Sequence, residues 1–314
     1  KSLGSDDGTT GKYGTGFVTT HILSKKLNIT GVHQLKEDKS LRNFTISIDR
    51  SSALLEETKA LDEMKKAINS TFDQINAIES QLSENIQNFH HSFTYDLSET
   101  SLKYALQGLE ELEKNLPFVL LINKSAKKKI NSVTVIKNGS SKVFRIHPTE
   151  SKILGVKYIK TQENEGILYK ENDNLIIGIP VVEEENNYAL APIEGKCVLY
   201  KEFPLIGSEN FHLPVFIQHK NFKPTEERDG VRTKKENEER EDAAADINRV
   251  CLIEFTSEYL DFISLLINNN CLNSFILALS GLPEFVDKYH NVNWYEANIQ
   301  APIRQLLLKY PIGA

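Results

Sequence analysis

Between residues 130 and 220 the chain repeats one pattern: a short run rich in β-branched and aromatic residues, then a turn signal. The runs fall at 133–136, 143–146, 153–159, 166–169, 175–182 and 196–200, and each is too short to read as a helix. Asn138-Gly139, Asn172-Asp173-Asn174, Glu185-Asn186-Asn187 and Glu194-Gly195 punctuate them with residues that favour tight turns. Segments of this kind bury their apolar side chains by pairing, so the middle of the chain is constrained to a β-rich domain.

Upstream, residues 42–49 alternate, with Phe44, Ile46 and Ile48 set against Thr45, Ser47 and Asp49, as a half-buried strand requires. Leu27 and Ile29 supply a partner strand across the polar loop 34–41. Leu54, Leu55, Thr58, Leu61, Met64, Ile68, Phe72, Ile75, Ile78 and Leu82 recur at steps of three and four, the pattern of a long amphipathic helix. Two readings stand for that helix, packing on its own domain or serving as a coiled-coil arm in a homodimer. Phe93, Tyr95 and Leu97 alternate as a further strand. Leu102, Leu106, Leu109, Leu112 and Leu116 then predict a helix that runs up to Pro117. From residue 237 onward helical spacing dominates, interrupted at 268–270 and 281–283.

With 314 residues the chain is long enough for two domains with separate cores. No apolar run approaches the roughly 20 residues of a membrane span, and no signal-peptide pattern opens the sequence. Cys197, Cys251 and Cys271 are widely spaced and lack metal-ligand spacing, so they read as buried thiols in a reducing, cytoplasmic setting. A net charge of −6 argues against a dominant nucleic-acid surface, and the basic run 124–129 reads as a solvated turn. His90 and His91 are adjacent on a strand, point to opposite faces and cannot share an ion, so no metal site is assigned. His212 reads as a strand residue without catalytic partners.

The segment Gly11-Lys12-Tyr13-Gly14-Thr15-Gly16-Phe17 stands between a polar stretch and a short apolar segment, 17–23, with helical spacing. Three closely spaced glycines let successive N–H groups turn into one concavity, and a helix starting at Phe17 adds its free N–H groups and the positive end of its dipole. Such a turn suits phosphate. A P-loop is excluded because Tyr13, not Ser or Thr, follows Lys12. A dinucleotide loop is excluded because no buried strand precedes it.

This segment resembles the glycine box that closes the ATP lid in GHKL (Bergerat-fold) ATPases, the superfamily of the ninety-kilodalton heat-shock chaperones, sacsin, MutL, type II topoisomerases and sensor histidine kinases. The continuation Thr19-Thr20-His21-Ile22-Leu23-Ser24 is most similar to the chaperone and sacsin branch. The resemblance implies ATP contacts at Gly11, Lys12, Tyr13, Gly14, Thr15, Gly16 and Phe17. It also implies a hydroxyl on the last strand of the nucleotide domain near adenine, matched by Ser92, with His91 one register away. The Mg²⁺ ligand, the water-activating acid and the adenine-binding Asp segment of that family are expected upstream of Lys1, so the chain reads as the lid-side part of a nucleotide domain. Alone it is expected to bind ATP poorly and to hydrolyse none.

A second resemblance lies at Phe203-Pro204-Leu205-Ile206-Gly207, Phe211-His212-Leu213-Pro214-Val215, Phe222 and Thr225-Glu226-Glu227-Arg228-Asp229-Gly230. Sacsin-like and heat-shock-type proteins close a similar arrangement with an Arg-bearing loop of the middle domain that reaches the γ-phosphate. Arg228 is the matching residue, and a planar guanidinium suits that role. The competing reading pairs Arg228 with Glu226, Glu227 or Asp229 on the surface.

Together these readings predict an α+β chain: the C-terminal part of a GHKL nucleotide domain (1–138), a β-rich middle domain (139–235) and a helical extension (236–314). The resemblance implies slow ATP hydrolysis coupled to lid closure, domain docking and a protein client or partner subunit. A non-hydrolysing scaffold of the same fold and a nucleic-acid-transaction ATPase of the MutL or topoisomerase type are the alternatives.

Overall fold

A computed structural model describes residues 22–34, 39–54, 56–79, 90–125, 130–235, 237–238, 240–279 and 283–310. The chain is mixed α and β and divides into two compact units, Lys1–Glu110 and Glu111–Ala314.

In the first unit, β1 (Lys26–Gln34), β2 (Leu41–Asp49) and β3 (His91–Tyr95) form an antiparallel sheet in the order β2-β1-β3. Leu27 lies opposite Ile48 and Ile29 opposite Ile46, and the alternation along β2 places Phe44, Ile46 and Ile48 on its half-buried side. Helix α1 (Glu57–Glu79) packs on β2. Its Gln74 accepts a hydrogen bond from Ser47 N at 2.7 Å and donates to Ser47 O at 3.3 Å, which satisfies an edge-strand peptide that pairing leaves open.

Helix α2 (Glu99–Ser125) starts at Ser98, whose Oγ accepts from Ser101 N at 3.1 Å. It does not end at Pro117, as the leucine spacing predicts, but continues for eight further residues. Leu116 and the run Phe118, Val119, Leu120, Leu121 and Ile122 are all buried. Burying side chains of this size contributes about 1.5–3 kcal/mol each, which together outweighs the roughly 3 kcal/mol cost of an internal proline.

The second unit opens with the hairpin β4 (Val133–Lys137) and β5 (Ser140–Phe144), turned by Asn138 and Gly139 at φ 51° and 77°. Those two left-handed residues form the turn that the Asn-Gly pair announces. An eight-stranded sheet follows: β6 (His147–Thr149), β7 (Lys157–Lys160), β8 (Glu165–Glu171), β9 (Leu175–Glu183), β10 (Tyr188–Leu190), β11 (Leu199–Lys201), β12 (Phe203–Pro204) and β13 (Phe216–His219). Its order is β12-β11-β13-β9-β8-β7-β6, with β10 also paired to β9, and β11–β13 is parallel. The apolar run 153–159 becomes a strand only from Lys157, because Gly155 before it sits at φ 81°.

Residues 166–169, 175–179 and 216–219 are buried consecutively, so these strands are covered on both faces. On one face Tyr169, Gly178 and Phe216 are neighbours across the strands, and Phe118 of α2 lies 4.6 Å from the Phe216 ring. On the other, Lys170 and His219 reach Glu258 and Glu254 of helix α3 (Ala243–Asn268). Asp242 caps α3 by accepting from Ala245 N at 3.1 Å. The short helices α4 (Ile276–Leu279), α5 (Val292–Tyr295) and α6 (Ala301–Leu307), with a π turn at Glu296–Gln300, complete the unit. One core joins Phe118 and Ile122 of α2, the sheet, Phe255, Tyr259 and Phe262 of α3, and Ile303 of α6.

Asn115 links α2 to the sheet. Its Oδ1 accepts from Cys197 N at 3.0 Å and from the Tyr200 hydroxyl at 2.8 Å, while its Nδ2 donates to Glu111 O at 2.9 Å. Asn115→Ala strands two buried donors and is expected to cost about 2–4 kcal/mol, read from urea unfolding of the chain. A loss below about 0.5 kcal/mol would show that these donors find other partners.

Candidate functional site

The glycine segment Gly11, Lys12, Tyr13, Gly14, Thr15, Gly16 and Phe17 lies outside the described residues. Ser92 is described: it is exposed on β3, opposite Thr30, in the first unit. Arg228 belongs to the second unit, where the loop that carries it is built in detail.

That loop is a closed turn. Pro224 and Val231 bridge its base, Thr225 N donates to Gly230 O at 3.0 Å, and Arg228 N donates to Thr225 O at 3.1 Å. Thr225 Oγ1 donates to Asp229 Oδ1 at 2.6 Å and accepts from Asp229 N at 3.2 Å. Asp229 also pairs with Lys288. Desolvation pulls the Asp229 carboxyl upward, but hydrogen bonds from Lys288, Thr225 and Tyr289 outweigh it and hold the group at about 2. At Gly230 a Cβ atom would stand 2.8 Å from the Tyr289 ring, so the backbone passes this ring only without a side chain.

Arg228 sits at the tip of this turn at φ 58°, a left-handed conformation that non-glycine residues adopt at a cost of about 1–2 kcal/mol. Its side chain is half-buried and its Nη2 donates to Lys201 O at 3.2 Å. Glu226 and Glu227 are exposed, and Asp229 is engaged by Lys288 and Thr225. Among the described residues Arg228 has no ion pair, so the surface salt bridge suggested by the charge run is not formed there.

A concavity of about 400 Å³ adjoins the loop, lined by His219, Asn221, Lys223, Asp246, Val250, Cys251 and Glu254 among others. His219 is buried at the end of β13. Its Nδ1 accepts from Asn221 N at 3.1 Å, which leaves the Nε2 proton for Glu254 Oε2 at 3.1 Å. Burial lowers the His219 pKa against the pull of Glu254, with Lys201 and Lys220 adding to the lowering. Cys251 is pushed up to about 11 by burial, so its thiol is not a nucleophile at neutral pH. Cys197 and Cys271 are likewise buried, with thiol pKa values raised by desolvation. Lys201, His219, Lys223 and Glu254 escape sequence reasoning because no spacing links residues on separate strands and a helix.

His212 is not in a strand. It closes a 3₁₀ turn (Ser208–Phe211) at φ 49°, exposed, with Nε2 3.5 Å from Glu284. In the first unit, Leu61, Met64, Ile68, Phe72 and Ile75 of α1 stay exposed along a groove of about 720 Å³ that also includes Ile48 and Arg50. Among the described residues no group of three or more His, Cys, Asp or Glu side chains is placed to hold a metal ion. None of their helices is long and apolar enough to cross a membrane.

No known protein family matches the chain, and neither a curated protein nor a solved structure matches it.

Behind the loop, His290 is fully buried. Its Nδ1 lies 3.0 Å from Thr233 Oγ1, its ring stacks on Tyr295 at 4.1 Å, and Phe211, Phe285 and Tyr289 pack around it. Desolvation lowers its pKa to about 3. Above the unfolded value near 6.5 both states are neutral and the full stability is present. Below 6.5 only the unfolded chain takes up the proton, so stability falls until pH approaches 3. Between pH 6.5 and 5 the expected loss from His290 is about 2 kcal/mol, with His219 adding in the same direction. Asp229 acts below pH 3.8 and lies outside that window. Urea titrations at pH 7.5 and 5 should show the loss, and His290→Phe should reduce it. An unchanged pH slope in that variant would exclude His290 as its source.

Proposed function

We propose that the chain is an ATP-binding module of a GHKL ATPase of the chaperone or sacsin type. In this reading Arg228 meets the terminal phosphate, and nucleotide binding and slow hydrolysis are coupled to lid closure and domain docking. One observation carries the reading: Arg228 is half-buried on a braced turn, in a left-handed conformation, without an ion pair among the described residues. A guanidinium has five N–H donors, and the bond to Lys201 O engages only one Nη2 position. The remaining donors fit the planar oxygens of a phosphoryl group and would stabilise charge that grows as it transfers.

The glycine segment supplies the other half of the proposal. Its backbone N–H groups would hold the phosphates, with Lys12 as a point charge and Ser92 as the adenine-side hydroxyl. ATP with Mg²⁺ is the ligand of this reading. No Mg²⁺ ligand is assigned to the described residues, and the role given to Arg228 does not depend on one. A client protein or a second subunit, and a cytoplasmic setting, belong to the same proposal.

Arg228→Ala in the full-length protein tests the transition-state role. If the guanidinium acts mainly there, turnover falls by about a hundredfold or more while ATP affinity changes little. An exposed salt bridge predicts almost no change, because such a pair contributes about 1 kcal/mol or less. A rise in KM alone would make Arg228 a binding contact. For the glycine segment, Gly16→Val should abolish nucleotide binding in the full-length protein while the second unit melts as before. Normal ATP affinity in that variant would make the segment an ordinary connection.

A further inference from the structure

Lys201 and Lys223 share with Arg228 the property that makes it unusual in an acidic chain. None of the three is in an ion pair among the described residues, whereas Lys157, Lys170, Lys235 and Lys288 around them each contact a carboxylate. Their backbones are held from several directions. Lys201 ends β11, its carbonyl accepts from Arg228, and the next peptide N–H, from Glu202, donates to Gln218 Oε1 at 2.7 Å. Lys223 is gripped on both sides by the buried Asn248, which accepts from Lys223 N at 2.8 Å and donates to Lys223 O at 2.9 Å.

The carboxylates lining or bordering this region are engaged elsewhere: Asp246 by Lys235, Glu254 by His219 and Asn172, and Asp229 by Lys288 and Thr225. Glu202 offsets part of the Lys201 charge. Desolvation lowers the Lys201 pKa, and repulsion from Lys223 and Arg228 adds to it, which places the three charges within reach of one another. Cys251, on the wall of the 400 Å³ concavity, responds to both Lys201 and Lys223. Like charges gathered on half-buried backbone are costly unless an anion joins them.

We infer that Lys201, Lys223 and Arg228 form one anion site that takes the phosphate oxygens of a polyphosphate chain. The inference deepens the phosphate reading of Arg228 and rests on it for the identity of the ligand. Two ammonium groups and one guanidinium suit a chain of linked phosphates better than a single carboxylate, because each cation can meet a separate oxyanion.

The test is calorimetric titration of this chain with inorganic tripolyphosphate at low ionic strength, repeated with ATP and with citrate. Parent protein is compared with Lys201→Gln, Lys223→Gln and Arg228→Gln, each checked for an unchanged melting temperature. Tripolyphosphate should bind more tightly than citrate, and each substitution should weaken it by about fivefold or more, the effect expected of one charge-assisted hydrogen bond. If ATP binds no better than tripolyphosphate, the site recognises phosphate alone. If only ATP binds, it is not a general polyphosphate site and the inference fails. Parent-like affinity in Lys201→Gln and Lys223→Gln, with a loss only in Arg228→Gln, would overturn the inference and leave the proposed role of Arg228 intact. Intact three-cation binding combined with unchanged turnover of Arg228→Ala in the full-length protein would uphold the site and reject the catalytic role.

Discussion

The second unit depends on burying both faces of β8, β9 and β13. A strand covered on both sides cannot alternate between apolar and polar residues, and the runs Ile167–Leu168–Tyr169 and Leu175–Ile176–Ile177 show it. Each face then needs its own helical layer. The C-terminal half of α2 covers one, with Phe118 against Phe216 and Tyr200, and α3 covers the other, with Phe255, Tyr259, Phe262 and Ile263 in the same core. Helix α2 therefore continues through Pro117, because stopping there would uncover a sheet face. Asn115 is tolerated in that core because its side-chain amide has partners at both ends.

The same double burial places the candidate site. Pairing of β11 with β13 sets Tyr200 opposite Gln218, so the chain leaves both strands at neighbouring points, Lys201 on one and His219 on the other. The segment that leaves β13 must then return over the end of α3. Asn248 of α3 holds it at Lys223, and the bridge between Pro224 and Val231 closes the turn that carries Arg228. The loop is thus anchored by the sheet, by α3 and, through Asp229 and Gly230, by Lys288 and Tyr289.

Local rules made much of this legible. The alternation of Phe44, Ile46 and Ile48, their pairing with Leu27 and Ile29, the Asn138-Gly139 hairpin and the helix over Met64 and Ile68 all follow from spacing and turn chemistry, and the structure has them. What spacing does not carry is competition between levels. Pro117 argues for an end, and only burial of the residues after it decides otherwise. His212 sits in an apolar run that reads as a strand, yet Gly207 and His212 both adopt left-handed conformations and fold the segment into a turn. The site was legible at one residue, Arg228, through the motif around it. Lys201, Lys223 and His219 came together through strand pairing and the return over α3, which no linear pattern encodes.

The state of Arg228 is the last step of the argument. Three acidic residues adjoin it in sequence, and a flexible surface arginine would be free to meet one of them. Here the turn prevents it: Thr225 and Lys288 fix the Asp229 carboxylate, and the left-handed backbone directs the guanidinium to the carbonyl of Lys201. A strained backbone that persists is over-determined by its surroundings, and such positions concentrate where a fixed geometry is useful. A neutral carbonyl engages one donor and compensates little of the charge. The fold therefore holds a cation at a defined place, short of a counter-charge, and a ligand bearing several oxyanions supplies what the carbonyl does not.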